Sequence, residues 1–187
     1  MSRGVRPARA GRLFVAALVL SVMSCTSAKV SDQDMLRGQV MLSPFKSELM
    51  AALTTAVSRD PVEAIGVCMV KAPEIATAIA QGNGVRVGRT SHKLRNPANS
   101  PSGWNHRWLR HYLENSDDHD PHAEYIGPET IGYVEPIFVK PMCLTCHGKT
   151  IAPEVEEKIA ELYPKDQARG FEAGDFRGIF WLEMPAQ

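Results

Sequence analysis

The chain has 187 residues, enough for one domain with a real core and hardly for two. Its 21 basic and 21 acidic side chains balance, but Arg3, Arg6, Arg9 and Arg12 crowd the start, so the remainder is mildly acidic. That distribution argues against a nucleic-acid partner, which selects for a basic surplus on one face.

The arginine-rich start runs into the apolar run Leu13 to Leu20 and then small or mixed residues up to Cys25, the layout of an export signal and short for a membrane span. Val22-Met23-Ser24-Cys25 further resembles a bacterial lipoprotein signal. Residues 1–24 are therefore read as a signal peptide with Cys25 lipidated, residues 25–33 as a polar tether, and residues 34–187 as the folded domain. This predicts a periplasmic protein held to a membrane by lipid.

From Asp34 to Arg59 the residues Met35, Leu42, Phe45, Leu49, Leu53 and Ala56 recur at helical spacing, with Pro44 as a kink or a restart. Asp60-Pro61-Val62-Glu63 supplies a capping side chain, a proline where no donor is needed and an acid in the first turn of a second helix. Val62, Ile65, Met69 and Ala72 mark its apolar face, with Cys68 on or beside it. Pro73 is expected to break this helix or to open a new one that stops at Gly82-Asn83-Gly84.

Val85 to Ser91 alternates like a strand, and Lys93 to Pro101, with two prolines and two asparagines, is expected to be an irregular exposed loop. Trp104, Trp108, Leu109, Tyr112 and Leu113 mark another helix, opened at Ser102-Gly103. Asp117-Asp118-His119-Asp120-Pro121-His122 has the residue types of a metal site, yet a charged loop with helix breakers reads first as a solvated one. Three β-like segments follow, Tyr125-Ile126, Ile131 to Val134 and Pro136 to Val139; then come a helix from Pro153 to Tyr163 and a last strand from Gly178 to Met184. The sum is one α+β domain with an antiparallel sheet and helices to one side.

The chemistry concentrates in Cys143-Leu144-Thr145-Cys146-His147-Gly148. C-x-x-C-H is the attachment signature of c-type haem: the thiols add to the vinyl groups and the histidine binds the iron. A Cys3His zinc site, a redox pair and a plain disulfide compete for the same cysteines. With Cys25 lipidated and Cys143 and Cys146 on haem, Cys68 is left over as an unpaired thiol in an oxidising compartment. It is either a buried core cysteine or the second axial ligand, with His92 and His111 as other ligand candidates. Arg89 and Arg95, with Asn96 beside them, are candidate partners for the haem propionates.

Several motifs occur together in a fixed order: Ala64-Ile65-Gly66-Val67-Cys68, Gly88-Arg89-Thr90-Ser91 with Lys93 to Pro97, Trp104, the C-x-x-C-H-G motif, Tyr163 to Ala168, Gly170-Phe171, Gly174-Asp175 and Arg177-Gly178. The set resembles the single-haem, PAS-like sensor family of bacteria, formerly a domain of unknown function, over roughly residues 35 to 184. The resemblance implies a PAS-like antiparallel sheet flanked by helices and one covalent haem c, with His147 and Cys68 as the axial ligands. His92 and Asn105 depart from the family pattern, which has a non-histidine residue and an acid there.

A His/Cys-thiolate pair favours ferric iron and a low potential, and the thiolate is the ligand expected to leave on reduction. The expected function is an exported redox or gas sensor, with a diatomic gas as ligand and an unidentified signalling or redox protein as partner. The alternative is a low-potential electron-transfer cytochrome. No acid/base arrangement for an enzyme such as a peroxidase is assignable from the sequence.

Overall fold

The computed structural model describes residue 1 and residues 29–187; the expected signal peptide and Cys25 lie outside the described residues. Helix α1 spans Asp32–Arg59 and helix α2 spans Pro61–Asn83. The capping expected at the second helix is present: the Asp60 carboxylate accepts the Val62 N–H at 2.8 Å, and Gly84 closes the other end in a left-handed conformation. Neither Pro44 nor Pro73 ends its helix. In α1 the residues on both sides of Pro44, Leu42, Phe45 and Leu49, are buried together, and that packing outweighs the one backbone bond that a proline removes.

Strands β1 (Arg86–Thr90), β2 (His122–Gly127), β3 (Thr130–Phe138) and β4 (Phe176–Pro185) form an open antiparallel sheet in the order β1-β4-β3-β2. The segments on either side of Pro136 are one strand, because β2 pairs with β3 only as far as Val134. Beyond that point β3 has a free edge, where the missing proline N–H breaks no ladder bond.

Alternation along β3 and β4 sorts the core onto two faces. Ile131, Tyr133, Leu182 and Met184 pack against Leu42, Phe45 and Leu49 of α1 and against Ala72 and Ile79 of α2. Val134 and Ile179 pack against Leu109 and Tyr112 of helix α3 (Gly103–Glu114) on the other face. The α+β antiparallel arrangement is thus as expected, but its helices lie on both sides of the sheet. In α3, Asn105 takes the capping role open to an acid: its Oδ1 accepts the Ser102 N–H at 2.8 Å.

The segment after β3 passes through a 3-10 turn, Pro141–Cys143, into the four-residue helix α4 (Leu144–His147), followed by helix α5 (Pro153–Leu162). Val155, Ile159 and Tyr163 bury against Ile65 of α2, with Cys146 packed on the same cluster. Through that contact the haem-type motif and the helix carrying Cys68 are held side by side. Among the described residues no helix is long and apolar enough to cross a membrane.

Candidate functional site

Between α1, α2 and one end of the sheet lies a cavity of about 1240 Å³, solvent at its mouth included. Cys68, Arg89, Arg95, Asn96, Cys143, Cys146 and His147 all line it, so residues drawn from four parts of the sequence meet at one place. His92 and His111 do not line it. His92 instead stacks on Phe176, and the His111 imidazole meets Asp118 at 2.7 Å.

The motif wall is heavily tied. His147 Nδ1 lies 2.7 Å from the Ala168 carbonyl oxygen; as donor to it, the ring is fixed in the tautomer that leaves Nε2 for a metal. Burial, with Arg177 and Arg95 nearby, pushes the His147 pKa down to about 3, so the ring is neutral and competent as a ligand. The His147 and Gly148 carbonyls accept the N–H groups of Phe171 and Gly170 at 3.0 Å each. Gly148 is required locally, since a Cβ there would lie 2.6 Å from the Leu144 carbonyl oxygen.

Arg95 is buried, unlike the exposed loop residue that the composition of its segment suggested. The cause is Asp166: Nε donates to Oδ1 at 3.1 Å, while Nη2 donates to the carbonyls of Cys146 at 2.5 Å and Ala168 at 3.3 Å. It is thus a strut beneath the motif; its Nη1 takes part in none of these bonds. Asn96 accepts the Ala98 N–H through Oδ1, which leaves its amide NH2 as a donor.

Arg177 was not singled out as a site residue from the sequence. The β3–β4 register runs Ile137 to Gly178 and then Phe138 to Phe176, so Arg177 is the extra residue of a bulge, and bulges re-aim side chains. Gly178 makes this possible: its φ is 153°, and a Cβ would lie 2.2 Å from the Thr90 carbonyl oxygen. Arg177 Nη1 donates to Ser91 Oγ and to the Lys93 carbonyl, and the guanidinium lies on the cavity wall. Burial, aided by Arg89 and Arg95, brings its pKa down to about 10, and it stays charged. The signal was present in sequence as Arg177-Gly178, but only the bulge gives it meaning.

The charge on this wall is unbalanced. Arg95 has a carboxylate partner, whereas among the described residues neither Arg89 nor Arg177 forms an ion pair. Leu49, Met50, Leu53 and Val57 of α1 form the opposite, apolar wall. Such a cavity suits a large, flat apolar body with an anionic edge.

The competing readings of the motif fare differently. Cys68, Cys143 and Cys146 are all free thiols. Among the described residues the four donors do not converge on a point, as a zinc site requires, but line the walls of a wide cavity. Burial pushes the Cys146 thiol up; Arg95 pulls the other way, and the neighbouring Cys68 adds to the push.

Comparison with known proteins agrees with the fold. The crystal structure of the cyanobacterial heme-protein Tll0287 is similar, with 24% identity and a TM-score of 0.65 over 83% of this chain and 97% of that one. At that identity the likeness speaks for the shared fold. No curated protein is similar enough to match. The family model described as Tll0287-like matches residues 8–185, nearly the whole length, and the chain belongs to the Tll0287-like family.

Proposed function

We propose that this chain is an exported single-haem c-type cytochrome, anchored by lipid at Cys25, that acts as a redox or gas sensor in the periplasm. The observation that carries the reading is that Cys68 opens onto the same cavity as Cys143, Cys146 and His147. The residues fit the group. Cys143 and Cys146 would hold it through thioethers, and His147 Nε2 and the Cys68 thiolate would bind its iron. Arg89 and Arg177, with the Asn96 amide and the remaining Arg95 nitrogen, would meet the propionates. The name of the solved relative, a heme-protein, supports haem as the group. When bound, haem would supply a one-electron couple and, where one of these side chains leaves the iron, a site for a diatomic gas.

The chain's own contribution to sensing is α2. Ala64 and Ile65 are buried, but from Gly66 to Lys71 no residue is, and Met69 and Val70 are exposed. Pro73 leaves the Met69 carbonyl without its helical donor, one residue from Cys68. A thiol on a lightly packed, under-bonded segment is one that can leave and take its segment with it.

A second reading, a low-potential electron-transfer cytochrome, is favoured by a series of rings that leads away from the site. His147 meets Phe171 at 6.3 Å, Phe171 meets His92 at 5.9 Å, and His92 stacks on Phe176 at 5.8 Å. Phe176 then meets Tyr112 at 5.5 Å, and Tyr112 meets His122 at 5.7 Å near the surface.

Expression in a host that matures c-type cytochromes, followed by a pyridine haemochrome spectrum, is expected to show one thioether-bound haem; its absence ends both readings. Loss of thiolate bands with CO or NO binding on reduction supports the sensor. Fast reversible electron exchange at constant ligation selects the carrier.

A further inference from the structure

On the face of the sheet covered by α3, away from the cavity, three donors converge. His111 stands in the last turn of α3, Asp118 in the following loop and His122 at the first residue of β2. Their ligand atoms all lie within 4.8 Å of one another, and this is the one such cluster among the described residues. Asp118 Oδ2 is 2.7 Å from His111 Nε2 and 2.8 Å from His122 Nε2.

We propose that His111, Asp118 and His122 form a binding site for a divalent transition-metal ion of the zinc or copper class. Two imidazoles and one carboxylate are the donor set such ions take, and the set is too nitrogen-rich for calcium or magnesium. A tetrahedral ion held at about 2.0–2.2 Å from each donor needs donor separations of about 3.3–3.6 Å, so each imidazole would draw back from Asp118 Oδ2 by roughly half an ångström or slightly more, a shift that partly exposed side chains can make.

The donors are also held in place. Asp118 Oδ1 accepts the Asp120 N–H at 2.9 Å, which orients the carboxylate and leaves Oδ2 for the cluster. The His122 ring stacks on Trp108 at 4.5 Å with an interplanar angle of 10°, and His111 packs edge-on against the same indole at 5.4 Å. Trp108 is in turn pinned by its Nε1–H donating to Glu124. The three side chains are partly exposed, so an ion has an entry path and open coordination positions for water. None of the three lines the cavity, so this site stands or falls independently of the haem assignment.

The competing account is a hydrogen-bonded clasp that joins α3 to β2 with no ion. Equilibrium dialysis of tag-free, haem-loaded protein against Zn²⁺ separates the two. One bound zinc per chain is expected, with affinity roughly tenfold or more weaker in Asp118→Asn and in His122→Gln. His119→Gln, on the same loop but stacked on Phe138, is expected to keep the zinc. Equal zinc uptake by the wild type and both cluster variants, or equal loss in His119→Gln, overturns the site. Should a variant unfold, X-ray absorption at the zinc edge of the wild type decides: two imidazoles with oxygen support the site, and a sulfur-containing shell or one without imidazole overturns it.

Discussion

The two sides of the cavity that carry the proposed iron ligands are built in opposite ways. His147 sits on a wall clamped by Ala168, by the backbone bonds to Gly170 and Phe171, and by Arg95 reaching across to Asp166. Cys68 sits on α2 in a stretch with no buried residue between Ile65 and Ala72 and with one helical acceptor unserved. On the proposed ligation, His147 would be the fixed point and Cys68 the ligand free to respond. Both side chains are partly buried, so burial does not separate them; the hydrogen bonds do, and they gather on the histidine side.

The largest expected effect comes from breaking the rigid wall. Arg95 and Asp166 are 8% and 2% exposed, so Arg95→Ala strips a buried carboxylate of one of its two guanidinium partners and frees the Cys146 and Ala168 carbonyls. A loss of about 3 kcal/mol in denaturant unfolding is expected. The same pair sets an acid limit. Burial pushes the Asp166 carboxyl up, but hydrogen bonds from Arg95, Arg169 and the Ala168 N–H hold it below its ordinary value. A carboxyl depressed on folding stabilises at every pH above its unfolded value of about 3.9, and that stability is lost as the pH falls through the lower folded value. Wild-type stability should therefore decline below about pH 4, and Arg95→Ala should flatten that acid limb; an unchanged limb would remove Asp166 from the clamp.

Next in size is Pro73→Ala, which restores a donor to the Met69 carbonyl. Stabilisation by roughly 1–3 kcal/mol is expected, because proline is that costly in a helix interior. Amide exchange over residues 66–71 should slow at the same time. If exchange there is already as slow as in α5, the contrast between the walls does not exist.

How far the sequence revealed this site depends on the kind of information each residue carries. Cys143, Cys146 and His147 are a local pattern fixed by chemistry, and the capping at Asp60 and Gly84 is local too. Pro73 misled because helix continuity was decided by tertiary burial of Ala72 and Ile79, which a window of sequence does not contain. Arg95 looked like a surface residue because its partner Asp166 lies 71 residues away. Arg177 is legible only through a register shift between two strands, and His111, Asp118 and His122 meet only because α3 and β2 fold onto the same face.

Cys68→Ser is the subtlest change, and it tests the comparison most directly. The thiol is only partly buried and forms no hydrogen bond among those described, so the substitution should shift unfolding by less than about 1 kcal/mol. Its effect should appear instead in the ferric absorption and EPR spectra, which should change from a six-coordinate thiolate type to a high-spin or water-bound one. A large stability loss with an unchanged spectrum would make Cys68 a core residue. His92 and His111 point to other contacts, so a ligand would then have to come from outside the cavity wall described. A changed spectrum at constant stability is the signature of a ligand that the fold holds lightly, and that lightness is what a redox- or gas-dependent release needs.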